Sequence, residues 1–166
     1  MTLDASGDAT TSQTIETSLP PNGSVPDLEA SIGSTAYFAY TFMGATAQTG
    51  LYTFSNGTFS LAGTLAKVAE IDALYASSDT LYVFGKDAGG VPVIDRFDPA
   101  TRTETLYATP TGYRLNGMTV SPSDQVSVGA VKFSDSSFVV GTLDSSGNLA
   151  VTGTTPSQAT TMLELQ

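Results

Sequence analysis

Residues 71–110, IDALYASSDTLYVFGKDAGGVPVIDRFDPATRTETLYATP, alternate short β-type runs with groups of turn-forming residues. Four runs are rich in β-branched, aromatic and other apolar residues or alternate polar with apolar ones, at 71–76, 80–85, 91–97 and 103–108. The sequences between them are Ser-Ser-Asp, Asp-Ala-Gly-Gly and Asp-Pro-Ala-Thr, which contain residues that are favoured in turns. The stretch therefore predicts a four-stranded antiparallel meander.

The same unit recurs on both sides of this stretch. A turn followed by a β-type run begins at positions 33, 78 and 123, at intervals of 45 residues, with the sequences GSTAYF, SDTLYV and SDQVSV. A period of roughly 40 to 50 residues with four strands in each unit is typical of β-propeller blades. The chain is therefore predicted to contain three such units.

The apolar runs at the second strands indicate how these units pack. Residues 37–40, 81–84 and 126–131 are almost continuously apolar or small, as expected for strands that are covered on both faces. A two-layer sandwich would favour stricter alternation. We predict an all-β fold of three four-stranded antiparallel propeller-type blades, which is a partial propeller, with a β-sandwich as the alternative.

The repeat also divides the chain into segments. Residues 1–25 are a tail or a single edge strand at 14–19, blades 1 to 3 occupy 26–69, 70–110 and 111–156, and 157–166 form a terminal strand of a further or shared blade. Propellers close with roughly 4 to 8 blades, so three blades leave the ring open. The chain is expected either to be a segment of a longer propeller or to complete its blades with further copies.

The middle unit carries two more specific motifs, TLYVFG at 80–85 and RFDPAT at 96–101, joined by a loop that contains Gly89 and Gly90. This combination resembles a kelch repeat, whose blades carry a Tyr-Val-Phe-Gly-Gly strand end and a later Tyr/Phe-Asp-Pro-x-Thr turn. Lys86 replaces the second glycine of the pair, and the family's Trp is absent because the chain has none. The other two units match by strand phase alone. The resemblance implies a propeller fold, with binding or scaffolding as the commonest role and enzymes as a minority.

The charge balance bears on partners and location. A net charge of −10 argues against nucleic acid, whose binding depends on Lys and Arg. No cationic residue precedes Lys67, so anionic lipid surfaces would repel the first third of the chain. No run is long enough to insert into a membrane, and no secretory signal is recognisable. The excess of Ser and Thr over charged residues favours an extracellular or cell-surface location.

The residue types limit the chemistry. The chain has no His and no Cys, which excludes Ser-His-Asp and Cys-His catalysis and the usual zinc sites, so we expect no metal and no cofactor. The densest acidic group is Asp95 and Asp98 with Asp87 and Glu104. Glycosidases hold two carboxyls roughly 5 to 10 Å apart. However, Asp followed by Pro is also a common turn opener. Asp95 and Asp98 remain candidate binding residues.

The tyrosines supply the other candidates. Most of the seven are expected to pack between blades. Tyr107 and Tyr113 flank the Thr-Pro-Thr-Gly connection at 109–112 and are the least tied to strand interiors. Tyrosine offers a flat apolar face and a polar tip, which suits contacts with a protein or a glycan.

These features predict a binding or structural module that is not an enzyme. The expected partners are a protein, a glycan, or further copies of the chain that complete the propeller, with no nucleic acid and no membrane insertion. The alternative is a fragment of a propeller-fold enzyme that acts on carbohydrate through Asp95 or Asp98.

Overall fold

A computed structural model describes residues 2–3, 9–11, 28–42, 48–55 and 58–156. Every regular element in these ranges is a β-strand, so the described part of the protein is all-β. No helix that could serve as a membrane span occurs among these residues. The strands predicted at 14–19 and in 157–166 lie outside the described residues.

Fourteen strands are described, and twelve of them form three four-stranded sheets. A short antiparallel pair consists of β1 (Thr2–Leu3) and β2 (Ala9–Thr11). Sheet 1 contains β3 (Leu28–Ile32), β4 (Thr35–Phe42), β5 (Gln48–Ser55) and β6 (Thr58–Leu65). Sheet 2 contains β7 (Glu70–Ala76), β8 (Leu81–Lys86), β9 (Pro92–Asp98) and β10 (Thr103–Leu106). Sheet 3 contains β11 (Tyr113–Val120), β12 (Val126–Lys132), β13 (Phe138–Leu143) and β14 (Leu149–Thr155).

Each sheet is a meander in which consecutive strands pair antiparallel. The prediction of an all-β fold with three four-stranded antiparallel units is therefore confirmed. Turn chemistry explains the short connections. The turn between β3 and β4 places Gly33 at a φ of 57°, and the loop before β9 places Gly90 at 77°, in the left-handed region where glycine pays no steric cost.

The three sheets are layered, with sheet 2 in the middle. Core 1, between sheets 1 and 2, includes Leu51 and Leu65 from sheet 1 with Leu81 and Val83 from sheet 2. Core 2, between sheets 2 and 3, includes Tyr82 and other residues of sheet 2 packed against Val126, Val128 and Val139 of sheet 3. Residues 81–84 of β8 are all buried because alternate side chains enter the two cores. This is the physical reason for the continuous apolar run in the sequence.

The first strands of sheets 2 and 3 each cross the face of the preceding sheet: β7 lies against β3 and β4, and β11 lies against β7, β8 and β9. β7 therefore lies beside the first strands of both neighbouring sheets, β3 and β11. Sheets 1 and 2 also contact each other closely at Gly63 of β6, where the ring of Phe97 from β9 occupies the space that a Cβ would need. Glycine at this position lets the ring rest on the backbone of the neighbouring sheet.

Candidate functional site

A cleft of about 550 Å³ opens where sheet 2 meets the turns of sheet 3. Its lining includes Tyr107 from the connection after β10, Asp124 and Gln125 from the β11–β12 turn, and Ser145 and Asn148 from the β13–β14 turn. These five residues define what we call the tyrosine cleft. It brings together one aromatic ring, a carboxylate, two amides and a hydroxyl.

Tyr107 is fixed by the backbone on both sides. Its N–H donates to the carbonyl of Ile94 at 2.9 Å, which extends the β9–β10 ladder by one bond. The next residue, Ala108, donates its N–H to the carbonyl of Ser145 at 3.1 Å and so ties the connection to sheet 3. The half-buried Tyr107 ring meets Tyr82 edge to face, with centroids 6.1 Å apart. The ring is therefore held in place before any ligand arrives.

A partly buried hydrogen bond beside the cleft joins sheet 2 to the β11–β12 turn. The Tyr82 hydroxyl donates to Oδ1 of Asp124 at 3.1 Å, and burial raises the pKa of Tyr82 well above its usual value. Asp124 has a φ of 63°, a left-handed conformation that Asp tolerates in turns. The bond between Tyr82 and Asp124 therefore holds the β11–β12 turn against sheet 2. Nearby, within the unit of sheet 2, Arg96 donates from Nη2 to the Thr80 hydroxyl at 3.1 Å.

The β13–β14 turn forms the opposite rim. Oδ1 of Asp144 accepts the N–H groups of Ser146 and Asn148, both at 2.9 Å, and Oδ2 accepts Nδ2 of Asn148 at 2.8 Å. These hydrogen bonds, led by those from Asn148, lower the pKa of Asp144. The carboxylate is occupied inside the turn, so these residues form a hairpin tip.

Of the two tyrosines singled out in the sequence, only Tyr107 lines the cleft. Tyr113 begins β11, is half-buried, and packs against the edge of core 2. Its N–H donates to the Pro110 carbonyl at 3.3 Å. Tyr113 therefore serves as a comparison residue of the same type outside the cleft.

The candidate acids separate into different environments. Asp95 points into core 1, because Val93 and Phe97, two residues away on either side, belong to that core. Asp98, three residues on, falls on the other face of β9. Its Oδ1 accepts the N–H of Ala100 at 2.8 Å and of Thr101 at 3.2 Å. The Thr101 side chain, followed by these N–H groups, lowers the pKa of Asp98. The two aspartates therefore do not form a carboxyl pair.

Asp95 is paired instead with Glu104 of β10. The Asp95 side chain has no exposed surface, and its oxygens make no hydrogen bond of ordinary length to the described residues. Burial, with the adjacent Glu104 carboxylate, raises the pKa of Asp95 to about 8. Glu104 accepts the N–H groups of Ala66 at 3.3 Å and Lys67 at 3.1 Å. Although partial burial opposes it, the Asp95 carboxyl and these N–H groups lower the pKa of Glu104. The opposite displacements of the two pKa values favour the proton on Asp95 over Glu104.

The cleft was not predictable as a unit. Its polar residues lie at turns, where the Gln125 N–H donates to the Ser121 hydroxyl and the Asn148 N–H donates to Asp144. Their meeting with Tyr107 depends on how sheet 3 packs on sheet 2, which no local pattern encodes. The Asp95–Glu104 pair likewise depends on the β9–β10 register, in which Leu106 lies opposite Asp95 and Glu104 opposite Phe97.

Comparison with known proteins gives no match: no protein-family model fits the chain, and no curated protein is significantly similar to it.

Proposed function

We propose that the protein is a non-enzymatic, extracellular or cell-surface binding module in which propeller-type blades present the tyrosine cleft to a glycan. The observation that carries the proposal is the cleft itself, about 550 Å³ in volume, with a pre-positioned Tyr107 ring among carboxylate, amide and hydroxyl groups. Sugars combine a flat C–H face with hydroxyls in fixed directions. An aromatic ring surrounded by polar side chains matches both features.

Two observations support the propeller-type arrangement of the blades. Sheet 2 is buried on both faces, whereas a two-layer sandwich buries one face of each sheet. β7 contacts the first strands of both neighbouring sheets, β3 and β11, as inner strands of adjacent blades do around an axis. The kelch-like motifs of sheet 2 point in the same direction.

A glycan panel with matched tyrosine variants tests this function. We expect binding of at least one neutral glycan to the wild-type chain, and a loss of affinity of about tenfold or more in Tyr107→Ala. Tyr113→Ala removes the same side chain outside the cleft and should leave the affinity unchanged. Circular dichroism would establish that both variants are folded. Equal affinities of the two variants, or no binding to any glycan on the panel, would contradict the proposal.

The Asp95–Glu104 pair supports the second candidate, a carbohydrate-active enzyme. The pKa values of these two adjacent carboxyls are displaced in opposite directions. Such pairs are found in acid/base catalysis. A substrate would have to reach Asp95, whose side chain is fully buried. Hydrolysis by the wild-type chain that disappears in Asp95→Asn would favour this candidate over the binding module.

A further inference from the structure

The stack of three sheets ends in two faces that belong to neither core. Sheet 1 turns an aromatic face away from sheet 2, which we call the aromatic end face. Phe38, Phe54 and Phe59 are half-buried there, and Phe59 lies 5.4 Å from Phe38 and 4.9 Å from Phe54, measured between ring centroids. None of these three rings contributes to core 1 or core 2.

Sheet 3 turns its own outer face away from sheet 2, which we call the valine end face. It carries Val131, Phe138 and Val140, all half-buried, with the Phe138 ring against Gly129. None of these residues contributes to either core of the described residues. The protein therefore has an apolar surface at each end of the stack.

Each end face carries one charged side chain among its described residues, and the two charges are opposite. Glu29 of β3 lies on the aromatic end face, because its neighbours Leu28 and Ala30 pack on core 1. Arg114 of β11 lies on the valine end face, because Tyr113 and Leu115 pack on core 2. Both side chains are exposed, and both stand on the first strand of their sheet. Arg114 is one of only six cationic residues in a chain with a net charge of −10.

We propose that two copies of the chain bind head to tail, with the aromatic end face of each copy on the valine end face of the other. This inference rests on the propeller-type arrangement proposed above. This contact is heterologous because it joins two different surfaces of the chain. Repeated contacts of this kind close into a ring when the rotation between neighbouring copies permits it. Two copies of three sheets give six blades, which is within the roughly 4 to 8 of known propellers, whereas three copies would exceed it.

The contacts inside the chain show where the two charges would meet. Between sheets 1 and 2, the first strands β3 and β7 are in contact, and Leu28 and Ala30 of β3 pack against the core that contains Leu74 of β7. Repeating this junction between copies brings β11 of one copy beside β3 of the other, on their outer faces. Arg114 then faces Glu29, and a dimer contains this ion pair twice.

The test is the mass of the full chain in solution with charge-reversed variants. Sedimentation equilibrium should give twice the chain mass of 17.1 kDa and no larger species as the concentration rises. Glu29→Arg and Arg114→Glu should each weaken dimerisation by about tenfold or more. The double variant, which exchanges the two charges, should restore most of the affinity. Arg102→Glu makes the same charge change in the exposed β9–β10 turn of sheet 2 and should leave the dimer intact.

Several outcomes would overturn the proposal. They are a chain that stays monomeric at all concentrations, assemblies that grow beyond the dimer, and charge reversals that have no effect or are not rescued in the double variant. If a reversal prevents folding, Arg114→Ala tests the same contact. A monomer that still binds glycan through Tyr107 would refute the dimer alone. A dimer without glycan binding would refute the function proposed for the cleft alone.

Discussion

Replacing Asp95 with Asn should stabilise the protein at neutral pH. Asp95 lies in core 1 beside Glu104 with no exposed surface, and its pKa is raised to about 8 from an ordinary 3.8. The folded state therefore retains a proton that the unfolded chain releases. The stability that Asp95 contributes is fully present below pH 3.8 and declines as the pH rises to about 8.

The size of the effect follows from this difference in proton binding. The pKa of Asp95 in the unfolded chain lies about three pH units below pH 7. At about 1.36 kcal/mol per pH unit, keeping the proton on Asp95 in the folded state costs about 4 kcal/mol at pH 7. An amide has nearly the same shape and carries no charge, so it can take the place of the protonated carboxyl beside Glu104. We expect Asp95→Asn to raise the free energy of unfolding by about 2 to 4 kcal/mol at pH 7.

Urea denaturation at several pH values between 4 and 8 measures this directly. The advantage of Asp95→Asn should be near zero at pH 4 and grow with pH. Asp98→Asn is the matched control, because Asp98 is a turn acceptor on the other face of β9 with a lowered pKa. That control should destabilise by the same amount throughout this range, because the contribution of Asp98 is lost only below pH 3.8. A variant of Asp95 whose effect is the same at pH 4 and pH 8 would refute the buried, protonated pair.

Three further predictions concern packing and turns. Gly63→Ala should lower the free energy of unfolding, measured in urea, by about 1 to 3 kcal/mol because the new methyl overlaps the Phe97 ring. Phe97→Leu in the same chain should recover part of this free energy. An unchanged free energy of unfolding in Gly63→Ala would refute the contact between Gly63 and Phe97. Tyr82→Phe should cost about 1 kcal/mol by leaving Asp124 without its donor, and an unchanged urea midpoint would count against that bond. Asp135, whose hydrogen bonds from Ser137 lower its pKa to about 2, stabilises above pH 3.8 and loses this contribution as the pH falls toward 2. Acid titration of Asp135→Asn should show a smaller loss of stability in this range than the wild-type chain, and identical titrations would contradict the assignment.

Local patterns predicted the strands of sheet 2 closely. The runs expected at 71–76, 80–85 and 91–97 correspond to β7, β8 and β9 within about one residue at each end, because the turns between them are specified by nearby Asp, Gly and Pro. β10 ends at Leu106 although the run was expected to reach residue 108. There Ala108 leaves the ladder to bond with Ser145 of the next sheet, a partner that lies far away in sequence.

The candidate site was less accessible from the sequence. Four acids that are close along the chain suggested one acidic group, but strand alternation places Asp95 and Asp98 on opposite faces. Asp87 is also used locally, since its Oδ1 accepts the N–H groups of Gly89 and Val91. Only Glu104 is brought to Asp95, by the pairing of β9 with β10.

The sequence by itself determined the elements of this protein: an all-β chain, three units of four antiparallel strands, and a second strand in sheet 2 that is covered on both faces. These properties depend on side-chain alternation and turn chemistry, which act over a few residues. The tertiary structure alone decided that the proton of the acidic group is on Asp95, that Tyr107 rather than Tyr113 lines a cleft, and that Glu29 and Arg114 occupy opposite ends of the stack. Each of these depends on burial or on contact between different sheets, which local sequence does not specify.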